Sequence, residues 1–431
     1  MSVVTVIEVE QAAGVLHIGA RDVVTPLARD RAKELGICIE RSGAVGQSRE
    51  LALQARKAAP ASANIAYRAS GAGRLALPAA VVHGAPSAAP TASRSGALYR
   101  RNAYGKRGER ALRTGAASEA AVDTRPRVAV IGAGHVGATT ALQLAESNRF
   151  ARLALLDVLP GLAAGLALDL WHAAALGGFT TRVEGADDAA VLAGADVVVI
   201  TAGRPRTPGM SRSDLTAANT EIIRLIGSAI AAHAPSSVIV VVTNPLEEMT
   251  ELVCQQTGFE PERVVGMGGL LDAARFRSLV GLAGFARPQD VRALVLGSHG
   301  AEMVIPLSQA SANGVALEEL IDAAALAAIV RRTRESGAEV TNLLRAGSAF
   351  LCPAACIAAQ VHAIVAPTDD VIPACVRSRG AYGTVDTRVG LPVRLGRTGL
   401  REIVTLPLRP AELQELCEAA KALAVRIKQL R

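Results

Sequence analysis

Aromatic residues make up only 3% of this 431-residue chain, so its cores must be built from Ala, Val, Leu and Ile. Small aliphatic side chains of that kind suit an α/β protein with buried parallel strands. Cysteine is sparse too. There are six, with no paired C-x-x-C, which argues for a reducing compartment and against a disulfide framework. Cys352 and Cys356 lie a helical turn apart, but no second Cys or His pair sits at ligand spacing. They read as small apolar core residues, and no metal is expected.

No apolar run of about eighteen residues occurs, so no membrane span is expected. Acids at Glu8, Glu10, Asp22, Asp30, Glu34 and Glu40 argue against a secretory or organellar leader, and a cytoplasmic protein is the expectation. The net charge of +7 is concentrated between Pro60 and Ala117, where nine Lys or Arg face one acid, Glu109. That tract is dominated by Ala, Ser, Gly and Pro, and it lacks the apolar content to offset its ordering entropy. It reads as a disordered linker. Apart from Tyr99 and Tyr104 no aromatics interleave with its charges, so no specific nucleic-acid partner is expected.

These shifts divide the chain into a small unit over 1–58, a linker over 59–124, a dinucleotide-binding domain over 125–268 and a substrate domain over 269–431. The first unit opens with a strand-like Val3–Val9. Thr25-Pro26 then starts a helix that Gly36 stops before Ile37-Cys38-Ile39. Some fifty residues make a marginal core, so this unit is expected to dock on a partner or a second copy.

What is present is a strand, a glycine turn and a helix, in that order. The apolar run Val128 to Ile131 leads into Gly132, Ala133, Gly134, His135, Val136 and Gly137, and small and apolar residues continue to Ala145. In a G-x-G-x-x-G turn the first glycine permits the bend, the second lets a pyrophosphate approach the backbone, and the third lets helix and strand pack closely. The phosphates would meet the helix N-terminus, with its free N–H groups. About twenty residues on, Leu153 to Leu156 ends in Asp157, placed to accept hydrogen bonds from the adenosine ribose hydroxyls and to repel a 2′-phosphate. NAD is therefore preferred to NADP. An ordinary strand-end acid is the plain alternative for Asp157.

Further strands are expected at Thr181–Val183, Asp196–Ile200 and Val238–Val242, giving a doubly wound parallel sheet whose ligand lies beyond the strand carboxyl ends. The exit after Ile200 carries Arg204, Arg206 and Arg212 among Gly and Pro. Three cations so close together suggest a lid over an anionic ligand, the alternative being a solvated basic loop. The exit after Val242 reads Thr243-Asn244-Pro245. Asn244 there is a candidate donor to a substrate oxygen, although N-P is also an ordinary turn signal. Farther on, Asp272 and Arg275 share a helix face, and His299 stands between glycines after the apolar run Ala293–Leu296. A histidine with a candidate carboxylate partner suits proton transfer.

Together these motifs resemble the malate dehydrogenases of the lactate dehydrogenase-like group over roughly 127–431. Gly-Ala-Gly-His-Val-Gly, Thr-Ala-Gly-x-Pro-Arg-x-Pro-Gly-Met-Ser-Arg, Val-Thr-Asn-Pro, Leu-Asp-x-Ala-Arg-Phe and Gly-x-His-Gly occur in the family's order and spacing. The resemblance implies a Rossmann domain followed by an α+β catalytic domain, NAD as cofactor, and reversible oxidation of (S)-malate to oxaloacetate. It makes His299 the proton donor and acceptor, with Asp272 as its orienting partner. Arg275 grips the C1 carboxylate. Arg212 on the lid polarises the C2 carbonyl, and Arg206 selects the second carboxylate. Asn219 and Val242 to Asn244 become cofactor contacts. A homodimer or homotetramer follows from the resemblance alone.

Two features depart from the family's pattern. Ala301-Glu302 stands after Gly300 where an acid is usual, and Ile305 is inserted before Pro306, so the wall behind His299 is open to a shift. The first 125 residues also lie outside the pattern. Val24 to Gly36 is similar to short segments of proteins associated with bacterial microcompartments, which suggests an assembly or encapsulation partner. The alternatives to a malate enzyme are a lactate or other 2-hydroxyacid dehydrogenase and a catalytically weak NAD-binding module carrying such a tag.

Overall fold

The computed structural model describes residues 3–4, 9, 12, 14–19, 22–24 and 26–41 near the amino terminus, and 123–205, 212–300, 302–345 and 347–430 beyond it. The chain divides into two compact units, Met1–Lys106 and Arg107–Arg431. The expected linker over 59–124 lies outside the described residues except for Asp123 and Thr124.

In the first unit, β1 (Val3–Val4) pairs in parallel with β3 (Val23–Val24), and β2 (Val15–Ile18) with β4 (Cys38–Arg41). Helix α1 (Pro26–Glu34) starts at the expected proline and ends before Gly36, whose φ of +67° suits glycine. The long opening strand is corrected. Among the described residues of that stretch, Val3 and Val4 pair as a strand and Val9 is helical. Val9 is nonetheless fully buried, with Ala28 and Ala32 from the helix and Val24 from the strand in the same small core.

The second unit is built on an eleven-stranded sheet. Its parallel half is β5 (Arg127–Ile131), β6 (Arg152–Leu156), β7 (Arg182–Ala186), β8 (Val197–Ile200), β9 (Val238–Val241) and β10 (Val264–Gly266), in the spatial order β7-β6-β5-β8-β9-β10. This is the 3-2-1-4-5-6 order of a doubly wound sheet, and the chain reverses direction across the sheet between β5 and β8. The helices that follow are α2 (His135–Glu146), α3 (Leu162–Gly177), α4 (Arg212–His233), α5 (Leu246–Thr257) and α6 (Gly269–Leu282).

Alternation along the strands divides the packing into two layers. Val128, Val130, Leu153, Leu155, Val197 and Val199 face one core with Ala141 and Leu144 of α2. Ala129, Ile131, Ala154, Val198 and Ile200 face the other with Ile223 and Ile230 of α4. Full burial of each Val, Leu or Ile contributes about 1.5–3 kcal/mol, against about 0–1 kcal/mol for an exposed ion pair. Aliphatic packing therefore supplies most of this sheet's cohesion, with Phe150 and Phe179 the aromatic members of the first layer.

The sheet continues in antiparallel fashion. Cys375 of β16 (Ile372–Arg377) pairs with Gly266 of β10, and β17 (Arg388–Gly396) then joins β16 to β12 (Leu296–Gly297), with β13 (Met303–Val304) at the edge and β18 (Gly399–Ile403) beside β17. A small separate sheet is formed by β11 (Val291–Arg292), β14 (Ser311–Ala312) and β15 (Val315–Ala316). Helices α7 (Ala323–Leu344), α8 (Leu351–Val365) and α9 (Pro410–Lys428) complete this part. Of the apolar run Ala293–Leu296, only Leu296 enters a strand. No helix among the described residues is long and apolar enough to cross a membrane.

Candidate active site

The glycine turn leaves β5 at Gly132, whose φ is +99° and whose added Cβ would fall 2.6 Å from the Ala202 nitrogen. Any side chain there would strain the turn and strike the β8 exit. A Cβ on Gly137 would overlap the Gly132 carbonyl oxygen, whereas one on Gly134 would meet nothing within 4 Å. Gly134 also caps α2 without a side-chain hydrogen bond. Open space in front of uncapped helix N–H groups fits a pyrophosphate. Val136 is half-buried behind the turn, and the exposed His135 ring lies 5.3 Å from that of Phe350.

Asp157 follows β6, as its place after an apolar run requires. Its Oδ2 accepts the Ala133 N–H at 2.7 Å, and its Oδ1 accepts the Leu159 N–H at 3.0 Å. The carboxylate therefore clamps the glycine turn from the neighbouring strand end. Thr201 Oγ1 donates to the Gly132 carbonyl at 2.9 Å, and Thr243 Oγ1 donates to that of Ala202 at 2.6 Å. Three strand exits are thus joined.

Asn219 completes the joint. It is fully buried on α4, its Oδ1 accepts the Arg204 N–H at 2.7 Å, and its Nδ2 donates to the Asn244 carbonyl at 2.6 Å and to that of Arg204 at 3.2 Å. Its amide is directed at backbone. Val242 is half-buried, while Asn244 is exposed beyond β9 and precedes Pro245 through a cis peptide bond.

The acid–base pair forms between two elements. Asp272 lies in the first turn of α6 and is 0% exposed, which leaves its charge dependent on partners. Its Oδ2 is 2.7 Å from His299 Nδ1, and its Oδ1 accepts a hydrogen bond from Arg275 Nη1 at 3.1 Å. Burial pulls the His299 ring pKa down, and the Asp272 and Glu247 carboxylates outweigh it, so the net direction is upward from the ordinary imidazole value. Asp272 favours the Nδ1–H tautomer and leaves Nε2 to exchange a proton. Arg206 lies outside the described residues; Arg212 opens α4, and its side chain also lies outside them.

The departure after Gly300 does not separate His299 from Asp272. Glu302 instead accepts from Ser298 Oγ at 2.8 Å and takes a bidentate pair from Arg426 of α9, at 2.8 and 3.1 Å. Glu247, absent from the sequence reading, accepts the His299 backbone N–H at 2.6 Å. Its only local signal is an acid in the first turn of a helix, where the helix dipole alone would account for it.

A doubly wound sheet with a glycine-rich turn, a strand-end carboxylate and a buried Asp–His pair at the same end defines a dinucleotide-dependent oxidoreductase. Residues 126–266 match the lactate/malate dehydrogenase NAD binding domain, and 270–431 match the lactate/malate dehydrogenase α/β C-terminal domain. A malate dehydrogenase of Thioalkalivibrio sulfidiphilus is 42% identical over 305 residues, 71% of this chain and 99% of the relative. The crystal structure of Cryptosporidium parvum malate dehydrogenase superposes with a TM-score of 0.69 at 32% identity, covering 71% of this chain and 99% of that one. A lactate dehydrogenase from the same organism gives 0.68 at 32% identity, covering 71% and 98%. The chain belongs to the lactate/malate dehydrogenase family. It is an NAD-dependent oxidoreductase.

Proposed function

We propose that this chain catalyses the reversible oxidation of (S)-malate to oxaloacetate, with His299, Asp272, Arg275, Arg206, Arg212 and Asn244 as the residues that carry it. The observation that supports this reading best is the placement of Asp272, with one oxygen on the His299 ring and the other on Arg275. One carboxylate orients both the proton-transfer group and the cation assigned to the substrate.

Bound NAD supplies the hydride acceptor. Gly132, Ala133, Gly134, His135, Val136 and Gly137 would hold its pyrophosphate, and Asp157 its ribose. Val242, Thr243 and Asn244 would line the nicotinamide end, and Asn219 acts on that end through the loops it joins. Arg275 grips the C1 carboxylate through a planar, two-pronged contact. Neutral His299 takes the C2 hydroxyl proton at Nε2, and Asp272 stabilises the resulting imidazolium. Asn244 donates to the C2 oxygen. Arg212 stabilises charge developing on that oxygen, and Arg206 pairs the second carboxylate.

The fold does not choose between malate and lactate, since solved enzymes of both names superpose equally well. The choice rests on Arg206 and on the sequence relatives. It is tested by NADH oxidation with oxaloacetate and pyruvate side by side, and NADPH as control. Preference for oxaloacetate with NADH is expected. Preference for pyruvate would overturn the substrate, and activity with neither, from protein that binds NADH, would overturn the mechanism.

A homo-oligomer, dimer or tetramer, belongs to the same proposal. It is supported by α3, which is apolar around most of its circumference yet leaves Leu168, Trp171 and Leu176 exposed at 56, 45 and 96%. The amino-terminal unit is read as an assembly or encapsulation element of a cytoplasmic enzyme. Truncation before Thr124 should leave turnover unchanged while altering sedimentation or location.

A further inference from the structure

Glu247 is a buried carboxylate that no step above uses. It lies in the first turn of α5, three residues after Asn244, is 2% exposed, and its Oε1 accepts the His299 N–H at 2.6 Å across 52 residues of sequence. Strand β12 stops at Gly297, so no ladder pairing holds the main chain at His299. The histidine is therefore held at two points, its ring by Asp272 on α6 and its backbone by Glu247 on α5. Packing reinforces the second point. A Cβ on Gly268 would lie 2.6 Å from Leu246 Cδ2 and 3.1 Å from His299 Cβ, so the start of α5 and the His299 side chain crowd the same glycine.

We propose that Glu247 is a positioning residue: by gripping the His299 main chain from the helix that follows Asn244, it fixes the proton-transfer ring relative to the amide assigned to the same substrate oxygen. The proposal rests on the roles given above to His299 and Asn244. A ring anchored only through Nδ1 could still pivot about that bond, and displacement on the scale of 1 Å can cost a reaction about 10²-fold. The charged and titratable groups around Glu247 are His299, Glu248, Arg426 and Cys375. Burial pushes the Glu247 carboxyl upward, while the His299 N–H it accepts opposes that shift. A carbonyl oxygen serves as acceptor in either protonation state, so the grip needs the acceptor rather than the charge.

The test uses the full chain and three variants. E247M and E247A remove the acceptor, and E247Q keeps one. For E247M or E247A, kcat should fall by about 10- to 100-fold, with KM for NADH and NADH binding by fluorescence within threefold of wild type. E247Q should restore kcat to within about threefold of wild type. Unchanged kcat in an acceptor-less variant would overturn the proposal. So would an E247Q as slow as E247M. Failure of both acceptor-less variants to bind NADH would make Glu247 a structural residue and overturn it as well. Wild-type protein that binds NADH without reducing oxaloacetate or pyruvate would refute the site roles themselves, whereas an active wild type with an unaffected E247M refutes this proposal alone.

Discussion

A Cβ on Gly137 would overlap the carbonyl oxygen of Gly132, so the third glycine of the turn lies against the backbone of the first. The contact is between protein and protein. Gly134 faces open space, and its lack of a side chain matters only to a ligand.

Gly137→Ala and Gly134→Ala should therefore fail differently. Gly137→Ala forces β5 and α2 apart and should cost about 1–3 kcal/mol of stability, visible as a lowered melting temperature. Gly134→Ala should melt close to wild type and lose NADH affinity in a fluorescence titration. Equal melting losses in both would show that the open space at Gly134 is not reserved for a ligand.

Replacing Asp272 by Asn keeps a hydrogen-bonding group near His299 and removes the anion. Turnover should drop by about 10²- to 10⁴-fold, since the imidazolium loses its stabilising charge and the tautomer its determinant. Steady-state kinetics in both directions should show the loss.

The upward shift at His299 sets the pH dependence. Malate oxidation needs the neutral ring, so kcat/KM for malate should fall as pH drops through a value above the ordinary imidazole pKa of about 6.5. Oxaloacetate reduction needs the imidazolium and should fall as pH rises through the same value. The raised pKa also contributes stability that is fully present below about pH 6.5 and lost as pH rises through the folded-state value. In Asp272→Asn the malate limb should move to lower pH. A limb that stays in place would mean that Asp272 does not raise the ring.

At Arg206 the change to Gln removes the partner assigned to the second carboxylate. An unpaired buried charge costs about 2–5 kcal/mol, so the oxaloacetate-to-pyruvate ratio of kcat/KM should fall by tens to thousands-fold. An unchanged ratio would remove Arg206 from the specificity assignment.

Asp157→Asn keeps an oxygen for the Ala133 N–H and removes the charge. Preference for NADH over NADPH should shrink by about tenfold or more, a change equivalent to about 1.4 kcal/mol. Kinetics with both cofactors measure it. Retained preference would leave Asp157 as a clamp on the turn alone.

The sequence by itself determined most of the parallel half of the sheet, the three-residue β10 being the strand it left unmarked. Val128–Ile131, Leu153–Leu156, Val197–Ile200 and Val238–Val241 are buried on both faces, so each appears as a short continuous apolar run; Gly132, Asp157 and Thr201 follow the first three directly, and Thr243 follows the fourth after Val242. Chemistry that sits at strand ends is visible for the same reason, and Gly132, Asp157, Asn244 and His299 all lie there. Tertiary structure decided what had no local pattern. β12 and β13 are two residues each, too short to carry a period, and Val9 contributes to the small amino-terminal core from a helical turn rather than a strand. Asn219 joins two strand exits and Glu247 grips His299 through hydrogen bonds that span 15 to 52 residues. Such bonds are made by the packing of whole elements; the neighbours of Glu247 in sequence do not distinguish it from any other Glu on a helix, and only the family resemblance singles out Asn219.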